Sequence, residues 1–440
     1  MQSAYLKKII SKKYYLLIFS LLFIGFGAAL TAILFRSGVH NLEEIRLAVL
    51  EIFPPTFVLP ILGALGGLIS GTLVSKFSPA SSGSGITHLV GYLHDRNIPI
   101  NLKVGIIKLV SGVIAIGSGF PLGAEGPSVQ MGSSVAWQIS KWLKAPKSLT
   151  KIIVSAGGGA GLAAVFGAPI AGFLFVVEEL LYKSKPILIA IAAITAFMAN
   201  SWGAILNSLG FDNESIRFSG IDGFVLDPHH NPIVKFIPLD IIYLVILGII
   251  VAIVGEIYTV YLLNFQKKAK EIFKNRYVLK MTFIGALIGI IYSILPEIFH
   301  EFTELDNLII DGEATGILAF QTFLVMFLTT GLSVAAGAPG GLFMPMITLG
   351  ASIGLALNSL MIFSTGYAPT TLVFAGMAAF ISSCSRTPLT AIFIVLALTH
   401  NNLILTPVLI GSITSYLFSK CLNEESIYER QLEDKLMGEK

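Results

Sequence analysis

The residues best suited to chemistry are isolated polar side chains in apolar, glycine-rich sequence. The stretch 117–132, GSGFPLGAEGPSVQMG, holds one charged residue, Glu125, among five glycines and two prolines. Two more carboxylates, Glu178 and Glu179, end the apolar run PIAGFLFVVEEL, and a hydroxyl, Ser84, lies in FSPASSGSGITHLVGYL. A carboxylate can take up and release a proton. An ionisable side chain at membrane depth marks an ion or proton pathway.

The composition places these residues in an integral membrane protein. The 440 residues are 54% hydrophobic and 12% charged, whereas soluble domains average about 25% charged residues. The net charge of +3 does not point to nucleic acid as a partner. The two cysteines, Cys384 and Cys421, and the neighbouring pair His229 and His230 form no metal-ligand set. We therefore expect no metal and no cofactor.

Apolar segments of two lengths follow each other along the chain. The long ones are 14–35, 57–75, 187–207, 238–264, 278–295, 317–336 and 402–418. The glycine-rich or proline-interrupted ones are 101–119, 125–140, 152–165, 169–181, 342–362, 369–382 and 387–399. Many of these are shorter than the roughly 20 residues that span a bilayer. Broken helices at membrane depth need protein or a water-filled cavity around their ends. The pattern predicts an all-α, polytopic transporter or channel, a single transmembrane domain over 1–440.

Basic residues indicate the orientation in the membrane. They cluster near the N-terminus and in 141–151, 183–185 and 267–276, which we expect on the cytoplasmic side. The first apolar segment is longer than the core of a signal peptide, so we expect it to be retained. The polar segment 211–235 is expected outside. The charged tail 423–440 is expected to be a short cytoplasmic helix, with both termini in the cytoplasm. The predicted location is the cell membrane, or the inner membrane of a Gram-negative cell.

The chain repeats itself at an offset of 218 residues (337 minus 119). Five Gly/Pro identities fall within 14 positions at this offset: Gly119 with Gly337, Pro121 with Pro339, Gly123 with Gly341, Pro127 with Pro345, and Gly132 with Gly350. One residue further on, Pro169 and Pro388 both open apolar helices. We predict two halves of one plan, 14–210 and 238–418. Matching broken segments in two halves indicate a transporter binding site.

The repeated stretches EGPSVQMG and GLFMPMITLG are each predicted to start a helix. Proline suits a first helical turn, and glycine lets the backbone approach a ligand closely. A helix N-terminus exposes unpaired amides and about half a positive charge. Two such ends that converge at the membrane midplane would bind an anion without a fixed cationic side chain.

These motifs resemble one family, the chloride channels and chloride/proton antiporters called CLC. The family's first signature, GSGIP, is similar to GSGIT at 83–87. Its second, a glycine and a basic residue before EGP, is similar to GAEGP at 123–127. Its third, GxFxP, is similar to GLFMP at 341–345. The three occur in family order, and the resemblance extends over about 14–430.

The resemblance implies a homodimer in a lipid bilayer, with one pathway in each subunit and two inverted halves of tilted helices. It assigns the central anion to the hydroxyls of Ser84 and Tyr428 and the amides of Leu342 and Phe343. It assigns Glu125 as the gate, which mimics an anion when charged and swings away when protonated. It implies that Glu179 is the internal proton-transfer carboxylate. The expected site residues are therefore Ser84, Leu342, Phe343 and Tyr428 for the anion and Glu125 and Glu179 for the proton.

Three positions depart from the family pattern. Thr87 replaces the proline of the first signature, and Ala124 replaces the basic residue before Glu125. Ala397 replaces an acidic residue that many relatives carry. Ala124 is expected to lower anion capture at the outer mouth or to raise the pKa of Glu125. Because Ser84 and Tyr428 are both present, the resemblance favours chloride over fluoride.

The function we expect is therefore secondary active exchange of chloride for protons. The alternative is a passive, proton-gated, voltage-type chloride channel, and Glu179 is the residue that separates the two. An enzyme is not expected, because neither a nucleophile with its base nor an HExxH motif is present. Structural alternatives are a capping role for Glu125, and pairing of Glu178 or Glu179 with Lys183 or Lys185.

Overall fold

The computed structural model describes residues 2–181, 185–211, 238–274, 276–296, 315–365 and 370–437. This part of the chain is built of α-helices joined by short connections. The helices are α1 (Gln2–Ile52), α2 (Pro55–Phe77), α3 (Ile86–Leu93), α4 (Leu102–Gly117), α5 (Glu125–Trp142), α6 (Lys147–Phe166), α7 (Pro169–Phe175), α8 (Pro186–Ser208), α9 (Pro238–Phe273), α10 (Tyr277–Ser293), α11 (Gly316–Ala336), α12 (Phe343–Thr365), α13 (Thr370–Ser385), α14 (Pro388–Thr399), α15 (Leu405–Leu422) and α16 (Ile427–Met437). A π-helical turn, Val176–Leu181, continues α7.

Long and short apolar helices alternate, as the sequence predicts. Within the described residues, seven helical stretches are long and apolar enough to cross a membrane. They are Ile18–Ile52, Pro55–Phe77, Lys147–Phe166, Pro186–Ser208, Ile241–Phe273, Gly316–Ala336 and Asn402–Lys435. Shorter apolar helices lie between them, and the half-length ones such as α3, α7 and α14 are covered by their neighbours. The expected external segment 211–235 lies almost wholly outside the described residues, as does most of the basic segment 183–185.

Two predicted segment lengths are wrong. The segment 14–35 is part of α1, which continues to Ile52. Gly38 lies within α1 and packs against α4, where a Cβ would lie 3.0 Å from the Val113 side chain. The segment 152–165 is part of α6, whose 20 residues follow Pro146 and are long enough to span. The segment 278–295 corresponds closely to α10, whose 17 residues place it among the shorter apolar helices.

Glycine contacts repeat between the two halves. A Cβ on Gly132 of α5 would lie 2.3 Å from the carbonyl oxygen of Gly157 on α6. At the equivalent place a Cβ on Gly350 of α12 would lie 2.2 Å from the carbonyl oxygen of Gly376 on α13. Small residues let membrane helices approach this closely. The same helix pair is therefore built twice, once in each half.

The two halves meet at a pair of repeat-related glycines. Gly123 N donates to Gly341 O at 3.0 Å, and Gly341 N donates to Gly123 O at 2.6 Å, as an isolated antiparallel bridge. Such a reciprocal pair has local two-fold symmetry. Equivalent residues of the two halves are therefore related by a local two-fold axis that passes between these glycines. This relation agrees with the predicted plan of two repeated halves.

Candidate functional site

Backbone hydrogen bonds bring the three glycine-rich stretches to one place. Gly83 N of the first stretch donates to Gly337 O at 2.9 Å, just before the third stretch. The second and third stretches are joined by the bridge between Gly123 and Gly341. A Cβ on Gly126 would lie 2.5 Å from Ser84 O and 3.0 Å from the Cα of Gly341. Residues far apart in the chain thus line one small region. The family resemblance predicts that the three stretches meet, and their sequences alone do not.

Glu125 is the first residue of α5, and its carboxylate lies on the N-terminus of α12. Its side chain is buried, with 1% of the residue exposed. Its Oε1 accepts hydrogen bonds from Phe343 N at 2.5 Å and from Met344 N at 3.3 Å. Both repeated stretches begin helices as predicted, and their N-termini converge. The carboxylate occupies the amides that the converging ends offer to an anion.

The other oxygen of the same carboxylate has no such support. Glu125 Oε2 is buried, and among the described residues it has no hydrogen-bond partner. Leaving a buried charged acceptor unpaired costs free energy. The two oxygens of the Glu125 carboxylate therefore differ in their surroundings: Oε1 accepts from the α12 amides and Oε2 does not.

The two hydroxyls predicted to bind the anion are both buried at this site. Ser84 Oγ accepts from Ile86 N at 3.2 Å, which leaves its own proton available to donate. Tyr428 is 0% exposed, and its hydroxyl has no hydrogen-bond partner in the described part of the chain. Its ring centroid lies 6.3 Å from that of Phe343. A buried tyrosine hydroxyl usually has a partner, so this one offers a donor to a bound species.

The backbone amides that donate to Glu125 only partly match the amides predicted to bind the anion. Leu342 and Phe343 are both buried where α12 begins. The Phe343 amide is taken by Glu125, and the amide of Met344, which the sequence analysis does not single out, shares the same carboxylate oxygen. The assignment of Leu342 as an anion ligand stays a prediction.

Glu179 and Glu178 leave the π-helical turn toward different partners. Glu179 is 1% exposed, and its Oε1 accepts from Ser426 Oγ at 2.9 Å. Ser426 lies two residues before Tyr428, so Glu179 contacts the segment that carries the buried hydroxyl. A π-helical turn within a helix is frequent at functional sites.

Glu178 caps the N-terminus of α14. Its carboxylate accepts from Leu389 N at 3.0 Å, from Thr390 N at 2.8 Å and from Thr390 Oγ1 at 2.7 Å. These bonds satisfy amides that the helix itself leaves unpaired. The structural alternative is pairing with Lys183 or Lys185. Lys183 lies outside the described residues, and the partners of Glu178 in the described part of the chain are Leu389 and Thr390, not Lys185. Glu178 therefore has a structural task that adjacent Glu179 does not share.

A buried lysine and a buried glutamine support the Ser84 loop from behind. Lys108 of α4 is 0% exposed, and its Nζ donates to Ser81 O at 3.1 Å and to Gly83 O. Gln130 Nε2 donates to Ala80 O at 2.8 Å. Lys108 is not among the predicted site residues. The signal was present, because Lys108 stands within the apolar run VGIIKLVSG.

A group of ion pairs holds α16 against the rest of the protein. Glu256 of α9 binds Arg386 at 3.3 Å and Arg430 at 2.7 Å. Arg386 also donates from Nε to Asn423 O at 3.2 Å. Lys267 binds Asp434 at 2.9 Å. The predicted C-terminal helix is thus present as α16 and is docked through charges that sequence spacing did not reveal.

The departures from the family pattern have different surroundings. Ala124 precedes α5 and brings no charge, but Arg46 of α1 approaches the same stretch. Its Nη1 would lie 3.8 Å from a Cβ on Gly119. Ala397 is half-buried against the core. Thr87 donates from Oγ1 to Gln431 Oε1 of α16 at 2.9 Å, so it makes a contact that proline does not make.

Known proteins are similar to this chain over nearly its whole length. A family model described as voltage gated chloride channel matches residues 66–420. The H(+)/Cl(-) exchange transporter ClcA of Vibrio cholerae is 29% identical over 439 residues, covering 96% of this chain and 90% of that protein. The protein of the same name from Salmonella arizonae is 29% identical over 424 residues, covering 92% and 85%.

Solved structures share the fold. The crystal structure of a slow cyanobacterial Cl-/H+ antiporter has a TM-score of 0.83 and 25% identity, covering 96% of this chain and 98% of that one. The crystal structure of a CLC-type fluoride/proton antiporter has a TM-score of 0.76 and 23% identity, covering 94% and 96%. The family match extends from α2 to α15, well over half of the chain. This chain therefore belongs to the voltage gated chloride channel family, the CLC family that its three motifs resemble.

Proposed function

We propose that this protein is a secondary active chloride/proton antiporter in which Glu125 alternately closes the anion pathway and carries a proton. The observation that carries the proposal is the hydrogen bonding of the Glu125 carboxylate to Phe343 N and Met344 N. A helix end suited to an anion holds the protein's own carboxylate. The names of the related transporters, H(+)/Cl(-) exchangers, support the same activity.

Protonation of Glu125 links the two ions. A proton that binds at Oε2 removes the negative charge for which the α12 amides are suited. The neutral side chain then leaves, and chloride takes its place. The hydroxyls of Ser84 and Tyr428 and the amides of Leu342 and Phe343 supply the donors. Return of the charged side chain displaces chloride. The Glu125 carboxylate and chloride therefore exclude each other from the α12 amides, and each exchange between them requires gain or loss of a proton.

Glu179 is the proposed proton acceptor on the inner side. It is buried, it accepts from Ser426, and Ser426 adjoins the turn of α16 that carries Tyr428. A proton that enters through Glu179 reaches the region of Tyr428 and Glu125 without using the anion's donors. A passive channel needs no buried internal carboxylate, so this residue supports exchange over conduction.

Reconstituted vesicles test the activity. A chloride gradient imposed across the membrane is expected to drive protons uphill, and an imposed proton gradient is expected to drive chloride. A chloride current that moves no protons would replace the antiporter with a passive channel. The full chain should be reconstituted into the lipid vesicles. A proton ionophore added at the end should collapse the accumulated proton gradient.

We propose the following assembly and placement as well. The protein forms a homodimer in a lipid bilayer, with one pathway in each subunit and both termini in the cytoplasm. One transmembrane domain spans 1–440, with repeats over 14–210 and 238–418 and a cytoplasmic helix within 423–440. Light scattering in detergent measures the number of subunits. Protease access to a terminal tag on right-side-out vesicles measures the orientation.

A further inference from the structure

The two hydroxyls of the proposed anion site are carried by two helices that face each other. Helix α3 begins two residues after Ser84, beyond the left-handed Gly85, and Tyr428 lies in the first turn of α16. Thr87 and His88 lie in the first turn of α3, close to Ser84 in the chain. Gln431 and Lys435 follow Tyr428 at three and seven positions, so they share its side of α16. Side chains near the start of α3 therefore meet the side of α16 that carries Tyr428.

The first contact beyond the hydroxyls is between Thr87 and Gln431. Thr87 Oγ1 donates to Gln431 Oε1 at 2.9 Å, and Thr87 is 8% exposed. This is the position at which the family resemblance expects proline, which has no side-chain donor. The exchange of proline for threonine therefore adds a specific bond between the Ser84 helix and the Tyr428 helix.

The second contact is between His88, which adjoins Thr87, and Lys435, which lies one turn beyond Gln431 on α16. Lys435 Nζ and His88 Nε2 are 2.6 Å apart, and His88 is 5% exposed. An ammonium group can only donate, so His88 Nε2 must accept and the imidazole is neutral, with its proton on Nδ1. A Cβ on Gly91 would lie 3.0 Å from Leu432 Cδ1, so the helices also pack closely at this level.

The opposite side of α16 is held differently. Arg430 and Asp434 bind Glu256 and Lys267 of α9. These ion pairs hold α16 against α9, which carries neither hydroxyl of the proposed anion site. The hydrogen bonds of Gln431 and Lys435 join α16 directly to α3, the helix that follows Ser84. Because hydrogen bonds are directional, the α3 contacts bear most directly on where Tyr428 lies relative to Ser84.

We infer that Thr87, Gln431, His88 and Lys435 are positioning residues that set the spacing of the Ser84 and Tyr428 hydroxyls, and with it chloride affinity and proton coupling. We call these two contacts the α3–α16 ladder. The inference rests on the proposed function, because it assumes that the two hydroxyls bind chloride. Coordination of an ion by fixed dipoles depends steeply on distance, so a small shift of α16 is expected to weaken binding.

The test uses the full chain in detergent for chloride titration calorimetry, and in vesicles for the ratio of chloride to protons moved. Thr87→Val keeps the shape and removes the donor, and we expect chloride to bind at least about threefold more weakly, with a changed coupling ratio. Thr87→Ser keeps the donor and is expected to stay within about twofold of the native affinity. Gln431→Met removes the acceptor and reports on the same contact from α16. The double variant is expected to be no worse than either single variant, because both remove one bond.

The matched control is Asp434→Asn, which removes an ion pair from the other side of the same helix. It is expected to leave affinity and coupling ratio at their native values. Native affinity and native coupling in both Thr87→Val and Gln431→Met would overturn the inference, provided that Ser84→Ala and Tyr428→Phe weaken binding. If Ser84→Ala and Tyr428→Phe also bind chloride as the native protein does, the proposed anion site fails and the ladder's role fails with it. Elution at the native volume selects folded variants. If only one of Thr87→Val and Gln431→Met folds, the chloride affinity and coupling ratio of that variant decide the outcome.

Discussion

Glu125 and Phe343 occupy equivalent places in the two halves of the chain, and they are hydrogen-bonded to each other. Phe343 N donates to Glu125 Oε1 at 2.5 Å, across a separation of 218 residues. The inverted repeat brings two helix N-termini to one axis, so a side chain from one half can occupy the amides of the other. The ring of Phe343 instead packs against Phe175 at 6.0 Å and Tyr428 at 6.3 Å between centroids. The first half has a glutamate at this position and the second half has a phenylalanine. The two-fold related pair therefore contains one titratable side chain, that of Glu125.

Replacement of Glu125 is expected to separate the two ion fluxes. Glu125→Gln resembles the protonated side chain, and Glu125→Ala empties the Phe343 and Met344 amides. Both variants should still move chloride, and neither should move protons, because no group remains to carry one across the site. Simultaneous recording of chloride and pH in vesicles measures both fluxes. Proton movement that persists in either variant contradicts the role of Glu125.

Adjacent carboxylates on the π-helical turn are expected to respond differently to the same change. Glu179→Gln should abolish proton transport and preserve chloride flux and thermal stability, because within the described part of the chain the Glu179 carboxylate accepts a single hydrogen bond, from Ser426 Oγ. Glu178→Gln should leave the coupling ratio closer to native but lower the melting temperature, because Glu178 accepts three bonds at the start of α14. Loss of a helix cap costs about 0.5–2 kcal/mol. Equal uncoupling by the two variants would contradict this division of roles.

Lys108 is expected to affect chloride binding through the loop that carries Ser84. Lys108→Met removes a donor from Ser81 O and from Gly83 O, of which Gly83 O still accepts from Gly340 N at 3.3 Å. A buried acceptor left unpaired costs about 1–3 kcal/mol. We expect chloride to bind several-fold more weakly by titration calorimetry. Lys103→Met is the matched control, since Lys103 is exposed on the same helix. Native affinity in Lys108→Met would show that the loop keeps its shape without this lysine.

Close packing of α5 on α6 is expected to reject a single added methyl group. In Gly132→Ala the new Cβ would meet Gly157 O at 2.3 Å, so the helices must separate. Overpacking of this kind costs about 1–3 kcal/mol. Gly203→Ala on α8 is the control, because no atom lies within 4 Å of its Cβ position. Alanine there is expected to gain about 0.5–1 kcal/mol from better helix propensity. Melting temperatures in one detergent compare the two, and equal stability would contradict the packing.

Local chemistry along the chain determined most of the architecture. Apolar runs interrupted by glycine and proline dictate broken membrane helices, because the bilayer leaves the backbone no other way to satisfy its polar groups. The offset of 218 residues marks the duplicated plan. Lone carboxylates in apolar sequence mark the pathway. The starts of α5, α12, α7 and α14 at Glu125, Phe343, Pro169 and Pro388 follow from these signals.

Tertiary structure alone decided which groups act on each other. The sequence does not say that Met344 shares Glu125, that Glu178 caps α14 while Glu179 contacts Ser426, or that Thr87 is bonded to Gln431. Each of these contacts joins residues more than 200 positions apart. Spacing along one helix predicts which side chains share a face, because the helical period is local. It carries no information on which distant helix packs there, and that choice depends on how all the buried surfaces fit together.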